Sequence, residues 1–379
     1  MNKTEDRMEN KKELTRLLIY LGFAFVLAWL VFFVFILTGH TWDYSSQNLQ
    51  QLVGLGMLAP VIAHVLTRKI TKEGFAITGR DSMMLGISFR DRKWVYFAMA
   101  VLLPWIYTEL GNGITLLLCP DLFDAGYYKI LGVEKGMVFI QPASAIVSGV
   151  FVSFAAFGEE GGWRGYMMPK LMKFMSTGKA MIVGGVIWGL WHAPLTCIGH
   201  NFGTDYPGFP YVGILLMCIY CTLVGIILTY VTEKSGSIWP AAILHAVNNA
   251  GPSILSVYMN FGKVSGAWGE TMAPWTGRMV SAAVFAIICF AAYAAPGRAE
   301  SKNLSFTSIN LSMKQGAISV PYRPKSQGQG QKTGIRNPSH NRTLGVDAGG
   351  SFLNRCPRRR VADRVEWYRR KVREGVDKR

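Results

Sequence analysis

The stretch SGVFVSFAAFGEEGGWRGYMMPKL, residues 148–171, sets two acidic residues and an arginine into a run that is otherwise mostly apolar, aromatic or glycine. About 20 apolar residues suffice for a helix to cross the ~30 Å hydrocarbon core of a bilayer. An ionisable group near the centre of such a helix costs at least ~2.5 kcal/mol, so it is a functional candidate by default. Glu160 and Arg164 are i and i+4 and can pair on one helical face. Glu159 lies roughly 100° around the helix from Glu160 and has no partner in the local sequence. That makes Glu159 the candidate base, an unpaired carboxyl in a low-dielectric setting. The plainer alternative is that both glutamates sit at the membrane interface beside Arg164 and Lys170.

Outward from this stretch the chain keeps the same character. Half of its 379 residues are hydrophobic and only 17% are charged, which points to an all-α polytopic membrane bundle and away from an ordinary soluble enzyme. Eight apolar spans are expected, at about Leu17–Thr38, Leu49–Leu66, Trp94–Leu118, Val138–Gly162, Ala180–Cys197, Phe209–Thr232, Ile238–Asn260 and Arg278–Ala295. They form a bundle over residues 17–296, between an N-terminal segment 1–16 and a tail 297–379.

The net charge of +17 resembles that of a nucleic-acid binder until it is located. Residues 1–296 hold 21 Lys+Arg against 17 Asp+Glu, whereas residues 297–379 hold 19 against 6. The tail thus supplies +13, and no nucleic-acid partner is expected. Its Ser, Gln, Gly and Asn content, as in SQGQGQKTG at 326–334, predicts a disordered segment. Its end, Arg355–Arg379, is either a basic amphipathic helix on anionic lipid or an incidental solvated tail.

Lys and Arg in the loops alternate. There are five in 1–16, seven in 67–93 and four in 163–179, against none in 39–48, two in 119–137 and none in 198–208. By the positive-inside rule both termini are expected in the cytoplasm. The six cysteines show no metal spacing, and the Cys218/Cys221 CxxC sits in an apolar helical run, so they are read as small apolar fillers. No cleavable signal peptide is expected.

The other ionisable residues expected within spans are His64, Glu109, His192 and His245, with His40, His200 and His340 assigned to loops or the tail. Trp188 and His192 are i, i+4, as are His245 and Asn249, so each pair projects from one helical face. Counting 1.5 Å per residue, Glu159, His192 and His245 fall at depths where they can meet in a cavity, expected to open to the cytoplasm.

These residues resemble the CAAX prenyl endopeptidase and bacteriocin-processing (CPBP, or Abi) intramembrane proteases. Their pattern is EExxxR, then an aromatic residue with His four later, then HxxxN on a further helix. Here it is matched by Glu159-Glu160-xxx-Arg164, Trp188-xxx-His192 and His245-xxx-Asn249, with the similarity running over about residues 90–260. Trp188 stands where many members carry Phe, and the tail has no counterpart in the family.

The resemblance implies an integral protein of a prokaryotic cell membrane, among lipids, that cuts peptide bonds of membrane-associated, prenylated or bacteriocin-type substrates. Glu159 and His192 would activate water, His245 and Asn249 would hold the oxyanion, and Glu160, Arg164 and Trp188 would support them. A variant places a divalent metal such as zinc on Glu159, His192 and His245; no HExxH is present, and the metal-free chemistry is preferred because Asn249 and the single-helix His/Asn face suit an oxyanion site. No GxSxG elbow and no paired intramembrane aspartates are present. Two rival readings are a non-catalytic immunity or scaffold bundle, and a proton-coupled transporter with Glu109, Glu159 and His192 as its relay.

Overall fold

A computed structural model describes residues 3–38, 53–79 and 81–294, and the tail expectations, with the end of the last expected span, lie outside them. Among the described residues every regular element is helical, with one isolated bridge between Phe123 and Met259. The principal helices are α1 (Lys3–Thr38), α2 (Ala59–Thr71), α3 (Trp94–Leu118), α4 (Gln141–Phe151), α5 (Ser153–Gly162), α6 (Met168–Phe174), α7 (Thr177–Trp191), α8 (Tyr211–Ser235), α9 (Trp239–Ala250) and α10 (Ala273–Ala294).

Helix α1 shows the logic of a bundle in lipid. Leu17, Tyr20, Ala24, Ala28, Phe32 and Ile36 form one buried stripe at helical spacing, while Leu18, Val26, Leu30 and Leu37 are exposed. A helix apolar all round with only one stripe packed on protein suits a hydrocarbon surround. The stripe ends in a reciprocal lock with α7. Trp29 Nε1 donates to the Trp191 carbonyl at 3.0 Å, and Trp191 Nε1 donates to the Ala24 carbonyl at 3.1 Å.

The count of full spans differs from the eight expected. Among the described residues five helices are long and apolar enough to cross a membrane: Arg7–Val34, Val53–Thr71, Trp94–Leu118, Tyr211–Ser235 and Trp268–Ala294. The pair Lys135–Phe151 and Ser153–Phe174, bent by 56° at Val152, makes a sixth if it counts as one span, so the helix expected over Val138–Gly162 is interrupted, as in a broken span or a re-entrant loop. The expected spans over 180–197 and 238–260 are shorter helices, 15 residues in α7 and 12 in α9. At 1.5 Å per residue they reach only ~22 and ~18 Å. Helix α9 stops because Gly251 adopts the left-handed conformation (φ +60°) that closes a helix, with Pro252 next. Beyond it the chain folds in short turns, where the Glu109 carboxylate accepts the backbone N–H groups of Ile254 and Leu255 at 2.8 and 3.0 Å. Hydropathy registers an apolar run and does not see these stops.

Both short helices are central. Helix α9 packs against α3, α4, α5 and α8, and α7 lies along α8. The latter contact is close because Gly185 and Gly189 bring backbone to backbone: a Cβ at either would overlap Thr222 or Cys218.

Candidate active site

Glu159 and Glu160 leave α5 in different directions, as the 3.6-residue period requires. Glu160 takes the Arg164 guanidinium at 3.1 Å, the expected pair, and also faces Nδ1 of His245 at 2.8 Å. Glu159 is buried, and its Oε2 accepts the indole N–H of Trp188 at 2.7 Å. The local sequence shows no partner for Glu159; tertiary packing supplies one from α7. Arg164 in turn stacks over the Trp188 ring, 4.3 Å from its centroid, and the His245 ring meets Trp188 edge-on at 5.4 Å. One indole thus joins the three expected segments. A π-helical turn over Trp163–Met167 follows α5 and carries the helix on into α6.

Hydrogen-bond partners decide where the imidazole protons sit. His192 Nδ1 lies 2.8 Å from the Trp188 carbonyl, which can only accept. The proton is therefore on Nδ1, and Nε2 of the neutral ring carries the lone pair a base needs. This also bears on Cys221, whose Sγ is 4.0 Å from the same Nδ1: a nitrogen already donating to a carbonyl cannot take a thiol proton. His245 directs Nδ1 at the Glu160 carboxylate and keeps Nε2 for other use.

Glu159, Trp188, His192, His245 and Asn249 all line one cavity of about 290 Å³. Asn248, which no motif singled out, lines it too and is its polar hub. Its Oδ1 accepts the hydroxyls of Tyr107 (2.6 Å) and Tyr220 (3.0 Å), and its Nδ2 donates to Asn249 Oδ1 at 3.2 Å. With Asn249 Oδ1 so used, the Asn249 amide nitrogen is the donor that remains. The helical offset of four pointed to Asn249 alone; the sequence signal for Asn248 is simply the doubled Asn in ILHAVNN. His200, assigned from the sequence to a loop, also lines the cavity, its ring parallel to His192 with centroids 5.7 Å apart.

Two expected intramembrane candidates lie elsewhere. Arg68 Nε donates to His64 Nε2 at 2.6 Å, which forces the His64 proton onto Nδ1 and toward the Gly161 carbonyl at 2.8 Å. Both His64 nitrogens are thus committed to structure. Glu109 is occupied with the turn at Ile254 and Leu255, so it does not form the relay with Glu159 and His192 that a transporter reading needs.

At the end of the bundle that carries the N-terminus, Lys170 is buried between Glu13 (2.7 Å) and Glu73, and Arg68 reaches the carbonyls of Asp81 and Ser82 at 2.9 Å. The cavity lies toward the other end, where His200, Asn201 and Arg278 contribute to its wall. As for metal, no three His, Cys, Asp or Glu side chains among the described residues come together as ligands. Glu159, His192 and His245 therefore offer zinc no ready three-ligand set, and no chemical step below is routed through one.

The segment that carries these residues is similar to known proteins. Residues 141–251, spanning α4 to the end of α9, match the family described as type II CAAX prenyl endopeptidase Rce1-like. A stretch of 104 residues is 33% identical to CAAX prenyl protease 2 of Methanococcus maripaludis, covering 27% of this chain and 38% of that protein. The chain thus matches well under half of that relative's length. The matched segment contains Glu159, Trp188, His192, His245 and Asn249.

Proposed function

We propose, from a CAAX-protease-like core at residues 141–251 within an integral membrane bundle, that the protein is an intramembrane endopeptidase hydrolysing peptide bonds of membrane-associated substrates. The observation that carries this reading is the single cavity in which a buried carboxylate, the tautomer-fixed His192 imidazole, the Glu160-bound His245 imidazole and an oriented amide converge from α5, α7 and α9.

In the proposed reaction Glu159, assisted by the lone pair of His192 Nε2, takes a proton from water as its oxygen attacks the peptide carbonyl carbon. The charge that develops on the carbonyl oxygen is met by the Asn249 amide and by His245 through Nε2, in the doubly protonated ring with Glu160 as counter-charge. Collapse of the tetrahedral species breaks the C–N bond, and the proton held at Glu159 passes to the departing nitrogen. Trp188 fixes the Glu159 carboxylate, and Arg164 backs both Trp188 and Glu160. Prenylated or bacteriocin-type peptides are the substrate classes in view. The loop Lys and Arg counts support termini on the cytoplasmic side, and the resemblance supports a prokaryotic cell membrane.

The test is cleavage of a reporter peptide by purified protein in proteoliposomes. Glu159→Gln and His192→Ala are each expected to lower kcat by about 10²–10⁴-fold, the range for loss of a general base, while inserting and purifying as wild type. Wild-type rates in either variant would remove the mechanism.

A further inference from the structure

The residues matched to the protease family end at 251, yet the cavity wall is completed by α10, which contributes Trp275 and Arg278. Among the described residues Arg278 is the only Lys or Arg lining the cavity. It lies within the apolar helix Trp268–Ala294 and is exposed. Among the described residues no carboxylate pairs with it. The contact that holds it is the face of Trp275, with Cζ 5.2 Å from the ring centroid.

That indole is itself braced. Its Nε1 donates to the Asn201 carbonyl at 2.6 Å, and Phe202 packs against it with centroids 4.4 Å apart. Arg278 is also within electrostatic range of the Tyr107 and Tyr220 hydroxyls that hold Asn248. The result is a positioned guanidinium whose N–H donors take no acceptor among the described residues, on the wall of the cavity that holds Glu159 and His192. A planar fork of this kind matches a carboxylate with two parallel hydrogen bonds.

We propose that Arg278 is a specificity-determining residue that binds a carboxylate of the substrate peptide close to the bond that is cut. The assignment rests on the endopeptidase reading above. At about 290 Å³ the cavity is at the small end of ligand-sized pockets. An anion at Arg278 and a scissile carbonyl at Glu159 therefore belong to one short stretch of chain. The carboxylate is either the peptide's own C-terminus or an acidic side chain near the cut.

The test uses full-length protein in maltoside micelles, which carry no phosphate, so that no lipid headgroup supplies the anion. Fluorescent peptides are compared as the C-terminal acid against the C-terminal amide, and with Asp against Asn near the cleavage site. Wild type is expected to prefer one carboxylate-bearing peptide over its neutral match by about tenfold or more in kcat/KM, the worth of one charge-assisted contact. Whichever pair shows the preference identifies the source of the carboxylate. In Arg278→Gln that preference collapses to within about twofold, and Arg278→Lys keeps part of it.

Binding of the same peptides to the Glu159→Gln protein gives a readout independent of turnover. Acid-selective binding that Arg278→Gln erases would uphold the carboxylate site even if no peptide were cut, in which case only the endopeptidase reading fails. Equal handling of carboxylate and neutral peptides by wild type, or equal losses on both in Arg278→Gln, would overturn the proposal.

Discussion

Trp188 does more than occupy the aromatic position of a motif. Its indole N–H holds Glu159, its face carries Arg164, its edge meets His245 and its carbonyl sets the tautomer of His192. Three of these survive a change to phenylalanine, since ring and backbone remain, and only the hydrogen bond to Glu159 is lost. Trp188→Phe is therefore expected to lower kcat about tenfold without abolishing cleavage, a loss of ~1.5 kcal/mol for one hydrogen bond to a charged group. Complete inactivity, at unchanged thermal stability, would show that the indole N–H has a further role. At this scale the spacing of Glu160 and Arg164 was legible because both lie on one helix. Glu159–Trp188 and Glu160–His245 were not, because each joins residues 29 and 85 positions apart.

Among the elements, α7 and α9 decide the site by being too short to span. His192 is where α7 ends, and Asn248 and Asn249 lie in the last turn of α9, so polar side chains gather at the terminus of one apolar helix and just short of that of another. The bend at Val152 and the π turn at Trp163–Met167 flank Glu159 and Glu160 in the same way. Register between α7 and α8 depends on Gly185 and Gly189, where a side chain has nowhere to go. Gly185→Val is expected to destabilise the bundle by ~1–3 kcal/mol through overpacking. The measurement is thermal unfolding in detergent, and an unchanged Tm would mean that the two helices are not packed this closely. Apolar runs in the sequence located these elements, but the stop at Gly251 was passed over because hydropathy continues beyond it.

Across the whole molecule, polar groups are divided between two regions with different work. One is the cavity; the other is the Glu13–Lys170–Glu73 network at the end bearing the N-terminus, which ties α1 and the segment after α2 to α6. Burial by itself would raise the Glu73 carboxyl, but hydrogen bonds from Lys170, Tyr166 and Thr71 outweigh it and hold the group below its ordinary range. A carboxyl depressed in the folded state stabilises fully above its unfolded value, and that contribution is lost as pH falls through the folded one. Tm should thus fall on acidification below the ordinary carboxylate range. Glu73→Gln should start lower at neutral pH and show a shallower acid limb, and parallel limbs would count against this network.

By itself the sequence determined that this is a helical membrane bundle and which few ionisable residues lie in its apolar runs, because hydrophobic run length and the cost of intramembrane charge are local properties. It also located His192, His245 and Asn249, through offsets of four on single helices. Only the tertiary structure decided that Glu159 answers to Trp188, that His64 and Glu109 are structural, that Asn248 and Arg278 belong to the cavity, and that the cavity lies away from the N-terminal end. Each of those outcomes depends on a partner from another helix, and the order of residues along one chain carries no direct record of which helices pack side by side.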